Sequence, residues 1–174
     1  MTKTPEKRSL TRRALLQQSA ALGAIAVSGA GFIAAPNAAW ALEVSEITEH
    51  QMATLLQMAR DIYPHDQVGD EYYVVAVKGY DSADSKEFVA EGVAKLDELA
   101  KGAGSASYLE TKWEDNRVAL LEQLEDDAFF QTVRGGLVTG LYNQKAVWPI
   151  FGYEGESFSK GGYLHRGFDD INWL

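Results

Sequence analysis

Residues 48–64 read TEHQMATLLQMARDIYP, a pattern typical of an amphipathic helix. Thr48 and Gln51 have the spacing of a capping box, in which each side chain bonds the other residue's backbone N–H. Apolar side chains then recur every three or four residues, and Pro64 stands where a helix must stop. The apolar positions are Met52, Leu55, Leu56, Ala59, Ile62 and Tyr63. We therefore predict a helix between Thr48 and Pro64 that buries this apolar face.

Residues 71–80, EYYVVAVKGY, can be interpreted in two ways. Their β-branched and aromatic content favours a strand. The chain has no second segment of similar character, and a strand without a partner is not stable. We therefore predict a short buried helix here.

Three further helices are predicted downstream. Asp84 is placed to cap one that ends at Gly102-Ala103-Gly104, residues 113–124 give a second, and Asp126-Asp127 place acids at the positive end of a third. The first would bury Phe88, Val89, Val93, Leu96 and Leu99; the second has a stripe of Arg117, Leu120, Leu121 and Leu124; the third would bury Phe129, Phe130, Val133, Leu137, Val138 and Leu141. The predicted fold class is all-α, a small helical bundle.

Glycines interrupt two of these helices. Gly92 lies on an inward face, and Gly135-Gly136 lie inside the last helix, where each costs about 1 kcal/mol relative to Ala. Such glycines indicate close approach of another backbone, from this chain or from a partner. Gly135 and Gly136 are therefore candidate interface residues.

The C-terminal segment, residues 148–174, contains 7 of the 19 aromatic residues and has no helix or strand period. Five glycines accompany them. We predict an irregular aromatic and glycine-rich segment that either wraps over its own helices or docks on another protein, and the two alternatives are compatible. Trp148 and Phe151 are assigned to the core. Tyr153, Tyr163 and Trp173 are the candidate contacts with a partner.

The composition excludes several kinds of site. The 174 residues include no cysteine, which excludes disulfides, thiolate-held clusters, thioether-linked haem and a cysteine nucleophile. The three histidines argue against a histidine-rich metal site. A formal net charge of −9 argues against nucleic-acid binding, which needs a basic face. With no dinucleotide fingerprint and no P-loop either, we predict no catalytic, cofactor-binding or metal-binding residue in this chain.

Residues 1–41 are organised as an export signal. Basic residues precede an uncharged stretch, residues 19–35, that is too short and too weakly hydrophobic for a convincing membrane span. The sequence TRRALL that starts at Thr11 resembles the twin-arginine export motif, with Arg12 and Arg13 as its arginine pair. We predict export through the twin-arginine translocase to the periplasm.

Ala39-Trp40-Ala41 matches a small-x-small cleavage pattern, which predicts cleavage after Ala41; an uncleaved anchor is the alternative. Residues 42–174 would then form a single helical domain with 24 acidic and 11 basic side chains, a net charge of −13. The twin-arginine pathway exports folded proteins, usually with a cofactor already bound, yet this chain lacks a cofactor motif. A partner that holds the cofactor and shares the signal would resolve the conflict.

His65 is the first candidate for chemistry. It lies beside Asp66 and one turn after Asp61, and a histidine between carboxylates can act as a general base. A Pro-His-Asp turn at a helix end is more often structural, with a charged imidazole facing the negative end of the helix dipole. The structural interpretation is preferred.

The other two histidines give weaker signals. His165 has Arg166 and Asp169-Asp170 nearby, so both ligand binding and an internal salt bridge that holds the tail are open. His50 lies near a helix start and is expected to be exposed, without a companion.

A set of short segments resembles the gluconate 2-dehydrogenase subunit 3 family. In order they are RDIYPHD at 60–66, FF at 129–130, GLYN at 140–143, WPIFGYEG at 148–155 and GGY at 161–163. They follow the twin-arginine leader and extend over most of the chain after it.

This resemblance implies a non-catalytic small subunit of a periplasmic flavin dehydrogenase complex. In such complexes a large subunit of the glucose-methanol-choline (GMC) type carries FAD and oxidises an alcohol or sugar, and a cytochrome c subunit often passes electrons to the membrane. The small subunit would help the large one to mature and to travel through the export pore. Two alternatives stay open: an independent periplasmic enzyme that uses His65 or His165, and a module whose aromatic tail stacks on sugar rings.

Overall fold

The computed structural model describes residues 26–27, 32–34, 42–166 and 168. Three short strands come first, β1 (Ala26–Val27), β2 (Phe32–Ala34) and β3 (Leu42–Glu43). They pair antiparallel in the order β1-β2-β3, with Ala26 opposite Ala34 and Ile33 opposite Leu42. The predictions for Arg12, Arg13, Ala39, Ala41, Asp169, Asp170 and Trp173 lie outside the described residues.

Five α-helices build the rest of the described chain, which confirms the predicted all-α bundle. They are α1 (Glu49–Ile62), α2 (Asp70–Val77), α3 (Lys86–Gly102), α4 (Glu114–Glu122) and α5 (Ala128–Tyr142). Short 3₁₀ helices occupy Lys78–Tyr80, Trp148–Phe151 and Phe158–Lys160. Among the residues described, no helix combines the length and the apolar character needed to cross a bilayer.

Helix α1 confirms the prediction made from its capping box. Thr48 Oγ1 accepts a hydrogen bond from the Gln51 backbone N–H at 3.2 Å, and Gln51 Oε1 accepts one from the Thr48 N–H at 2.8 Å. The helix ends at Ile62, two residues before Pro64. Its apolar face forms the centre of the core, where Met52, Leu55 and Leu56 are fully buried.

Helix α2 confirms the helical interpretation of residues 71–80. It packs between α1 and α5 and buries Tyr73, Val74 and Val77. The close approach of backbones occurs at Gly140 of α5, where a Cβ would lie 3.2 Å from backbone atoms of Ala76. Gly140 therefore lets α2 and α5 pack closely.

Gly135 and Gly136 make no such approach to any backbone that the structure describes. A Cβ at Gly135 would meet open space, and one at Gly136 would lie 2.6 Å from the hydroxyl of Tyr80, a side chain rather than a backbone. Tyr80 Oη donates a hydrogen bond at 3.2 Å to the carbonyl of Thr132, which lies in α5 together with Gly136. Gly136 thus leaves room for a tyrosine, and Gly135 stays exposed.

The predicted cap at Asp84 is wrong. Helix α3 begins at Lys86, its N-cap position is Ser85, and no side chain caps it. Asp84 is exposed because a turn closed by a Ser85 N–H to Ser82 carbonyl bond (3.1 Å) places it before the first helical residue. Gly92 is explained by packing, since a Cβ there would lie 2.1 Å from the Phe129 ring of α5.

Helix α5 is capped as predicted, but one of its apolar residues is placed wrongly. The Asp127 carboxylate accepts a hydrogen bond from the Phe129 N–H at 2.8 Å. Phe129, Val133, Leu137 and Leu141 are buried at four-residue spacing, and Phe130 is partly buried. Val138 is exposed because it lies beyond this stripe on the helix surface.

Asp81, after the first 3₁₀ helix, fixes the chain just before α1. Its carboxylate accepts hydrogen bonds from the backbone N–H groups of Ser45 (2.9 Å), Glu46 (2.8 Å) and Ile47 (3.1 Å), and from Ser45 Oγ (3.2 Å). Desolvation opposes ionisation here, but these bonds prevail and lower the pKa of Asp81 below its ordinary value.

Candidate functional site

His65 lies at the centre of an aromatic cluster that joins the end of α1 to the C-terminal segment. Its Nε2 is 2.6 Å from the hydroxyl of Tyr142, the last residue of α5. Its ring lies edge-on to Phe151, with the ring centroids 4.8 Å apart, and Tyr142 packs edge-on to Tyr63 at 5.7 Å. We call the set Tyr63, His65, Tyr73, Tyr142 and Phe151 the His65 cluster.

The turn after Pro64 places His65 in this position. The His65 N–H bonds the Tyr63 carbonyl at 3.0 Å, and the Val68 N–H bonds the His65 carbonyl at 3.1 Å. The Tyr73 hydroxyl donates to the Tyr63 carbonyl and accepts a hydrogen bond from the His65 backbone N–H at 3.2 Å. The end of α1 is therefore held by side chains of α2 and α5.

The surroundings of His65 disfavour the charged form of its imidazole. Burial, and then the nearby Arg60 guanidinium, lower the pKa of His65 below 6.5. Burial raises the pKa of Tyr142, so its hydroxyl remains a proton donor for the imidazole. Burial and Arg60 therefore oppose the charged imidazole that the sequence led us to expect at the helix end.

The two carboxylates that flank His65 in sequence do not accompany it in space. Asp66 is exposed. Asp61 is buried, with a side chain only 2% exposed, and pairs with Arg117 of α4: Nε lies 2.7 Å from Oδ2 and Nη2 lies 2.8 Å from Oδ1. The general-base arrangement suggested by the sequence is not assembled in this structure.

The Asp61–Arg117 pair is a buried cluster that the sequence analysis missed. Tyr108 Oη donates to Asp61 Oδ2 at 2.6 Å, and Gln57 Nε2 donates to Oδ1 at 3.1 Å. Burial, reinforced by the Asp61 charge, raises the pKa of Tyr108, and the bonds to Asp61 raise the pKa of Arg117. Arg117 Nη1 also donates to the Thr111 carbonyl at 3.0 Å, so each nitrogen and oxygen of the two side chains has a hydrogen-bond partner and the pair joins α1 to α4.

His50 also has a partner, contrary to the expectation. Its Nε2 lies 2.6 Å from Asp97 Oδ2 of α3, and Asp97 Oδ1 accepts the Tyr108 backbone N–H at 2.9 Å. The spacing of 47 residues between His50 and Asp97 hides this contact from sequence analysis.

The C-terminal segment divides into a packed part and an exposed part. Phe151 is partly buried and packs against the core, as predicted. Trp148, which was also assigned to the core, is only partly buried and lies outside the core cluster; its Nε1 donates to the Tyr142 carbonyl at 2.7 Å. Tyr153 lies edge-on to Trp148 with centroids 5.2 Å apart and is 38% exposed. Tyr163 is 59% exposed.

The group around His165 is only partly described. Arg166 pairs with the Glu154 carboxylate, and Lys160 donates to the Glu154 carbonyl. His165 itself is exposed. An ion pair between Arg166 and Glu154 thus holds this part of the tail.

A cleft of about 750 Å³ lies between α3 and the end of α4. Its floor includes Leu99 and Leu124, and its lysine, Lys95, is paired with Asp127 at 2.9 Å. Glu91, Glu98 and Gln123 line it as well. Within the described ranges no three His, Cys, Asp or Glu side chains are placed to hold a metal ion.

Comparison with protein-family models, with curated proteins and with solved structures finds no match for this chain.

Proposed function

We propose that the chain is the non-catalytic small subunit of a periplasmic flavin-dependent alcohol or sugar dehydrogenase complex. In this proposal the FAD is bound by a GMC-type large subunit. The small subunit assists its maturation and carries it through the twin-arginine pathway.

The observation that carries the proposal is the apolar surface of the tail. Within residues 158–168, four large side chains are exposed: Phe158 (94%), Tyr163 (59%), Leu164 (78%) and Phe168 (77%). Soluble proteins that act alone seldom leave such a concentration of apolar side chains in water, whereas interfaces concentrate aromatic anchors. A protein partner that covers this tail accounts for its composition.

The packing of the His65 cluster supports the same proposal. Segments 60–66, 140–143 and 148–151, which carry the family resemblance, contact one another through His65, Tyr142 and Phe151. They fix the point at which the tail leaves the bundle. The residues that carry the family resemblance therefore hold the base of the exposed tail. This is the arrangement expected if the tail is the binding surface of a non-catalytic subunit.

The sequence supplies the functional setting. A twin-arginine motif at Arg12-Arg13 precedes a domain without a cofactor motif of its own. If the folded flavin subunit binds this chain before export, one leader serves both proteins.

The direct test is purification of the tagged chain from its native host. We expect a yellow co-purifying chain of the GMC type with stoichiometric FAD. A colourless monomer would contradict the proposal and favour the enzyme or the sugar-binding alternative, which assays on the isolated chain would then separate.

A second test addresses the shared signal. Arg12→Lys combined with Arg13→Lys should keep both this chain and the flavin subunit in the cytoplasm, with loss of periplasmic dehydrogenase activity. Arg8→Lys, in the same leader but outside the motif, is the matched control and should export both. Normal periplasmic activity in the double variant would show that the partner does not depend on this leader.

A further inference from the structure

A cavity of about 360 Å³ lies where the C-terminal segment turns away from α5. We call it the Trp148 pocket; its lining residues are Lys145, Trp148, Pro149, Gly152, Tyr153 and Glu154. Trp148 and Tyr153 both line it, with their ring centroids 5.2 Å apart and their planes at 69°, and Pro149 lines it as well. The pocket is therefore a small cavity lined mainly by apolar and aromatic residues.

The walls of the Trp148 pocket are fixed by the chain itself. The indole is anchored to the Tyr142 carbonyl at 2.7 Å, and the Tyr153 N–H bonds the Trp148 carbonyl at 2.9 Å. Gly155, at φ 90°, lies so close behind the indole that a Cβ would come within 3.2 Å of the ring. A socket that is preformed in this way loses little conformational freedom when it is filled.

The charges at the rim of the pocket are unequal. The Glu154 carboxylate is neutralised by Arg166. Lys145 Nζ lies 5.7 Å from the centroid of the Trp148 ring and, among the residues described, has no carboxylate within ion-pair distance. Within the part of the chain that the structure describes, the rim therefore presents one positive charge without an acidic partner beside the pocket.

We infer that the Trp148 pocket receives an extended, proline-containing segment of the flavin subunit, with a carboxylate next to the proline. Grooves with Trp and Tyr walls bind polyproline-type segments because the flat, rigid proline ring packs on aromatic faces at low entropic cost. The carboxylate is specified by charge complementarity with Lys145. The inference rests on the proposed function for the identity of the partner.

Short peptides test the pocket on the purified chain. Acetyl-PPEPP-amide should bind saturably, as followed by calorimetry, and about two- to fivefold more tightly than acetyl-PPKPP-amide, the gain expected of one exposed ion pair. The difference should shrink at high salt. Lys145→Glu should reverse the preference, whereas Lys112→Glu, the same charge change at an exposed site outside the pocket, should leave it unchanged. Tyr153→Ala should weaken both peptides by about tenfold.

The same variants in the native host distinguish failure of this inference from failure of the proposed function. Lys145→Glu and Tyr153→Ala should reduce the amount of flavin subunit that co-purifies, and Lys112→Glu should not. The inference about the pocket would be overturned if both pocket variants co-purify the full amount of flavin subunit, or if neither proline peptide binds. The small-subunit function would still stand. Absence of a flavin subunit beside the wild-type chain would overturn both.

Discussion

Phe158→Ala separates binding of a partner from stability of the fold. Phe158 is 94% exposed, so the folded chain loses almost no buried apolar contact when its side chain is removed. Full burial of such a side chain stabilises by about 1.5–3 kcal/mol, and the few per cent buried here therefore correspond to about 0.1–0.2 kcal/mol. The melting temperature of the isolated chain should stay within about 1 °C of the wild type.

Binding of the flavin subunit should respond differently to the same change. If docking buries Phe158, the variant loses the remaining 1.5–3 kcal/mol or so, which corresponds to a dissociation constant about 10- to 150-fold higher. Tyr163→Ala should show a smaller effect of about 1–2 kcal/mol, because only the exposed 59% of its side chain remains to be covered.

The assay is a binding titration with purified flavin subunit beside a thermal melt of each variant. Trp113→Ala is the matched control, because Trp113 is 72% exposed but lies just before α4, away in sequence from the tail. Unchanged binding of Phe158→Ala together with weakened binding of Trp113→Ala would refute the reasoning and move the interface to the α4 end of the bundle.

Other predictions concern the core, the titration of one histidine and the paired glycines. Arg117→Met leaves the Asp61 carboxylate buried without its partner, which should lower the free energy of unfolding in urea by about 3–5 kcal/mol; adding Asp61→Leu should recover much of the loss, and a loss below about 1 kcal/mol would show that the pair is not buried. Because the pKa of His65 is lower in the folded chain than its ordinary 6.5, the unfolded chain binds more protons, so stability should fall as the pH drops below 6.5 and level off below the folded pKa. Melts between about pH 5 and 8 should show that His65→Gln lacks this component. Gly135→Ala should raise the free energy of unfolding by up to about 1 kcal/mol, because its methyl group meets open space. Gly136→Ala should lower it, because its methyl group would collide with the Tyr80 hydroxyl. Loss of partner binding by Gly135→Ala would identify that helix face as an interface.

Local rules were sufficient for much of the fold. The capping box at Thr48 and the stop at Pro64 depend only on neighbouring residues, and α1 has the predicted limits. The helical interpretation of residues 71–80 followed from the lack of a second strand to pair with. Asp84 is not the cap because a turn closed by the Ser85 N–H and the Ser82 carbonyl places the N-cap position at Ser85. The local sequence does not show which of these polar residues occupies that position.

The contacts that build the candidate site depend on packing between distant segments. Asp61 and Arg117 are 56 residues apart, and His65 and Tyr142 are 77 apart. One signal for the ion pair was present, since Arg117 interrupts the apolar stripe of α4, and an arginine on a buried face requires an acidic partner. The aromatic composition of the tail indicates that it must be covered. It does not show that Trp148 is packed and Phe158 is exposed, because that division depends on where the chain turns.

The hydrogen bonds at Asp81 also have a mechanical consequence. Traction on the backbone immediately before residue 45 passes along residues 45–47, whose three consecutive N–H groups are all held by one carboxylate. The force is thus shared among these hydrogen bonds and transferred to Asp81, which follows α2 in the chain, before it reaches the first turn of α1. Along this route the first turn of α1, the helix that contributes Met52, Leu55 and Leu56 to the core, is protected from peeling when the preceding backbone is pulled.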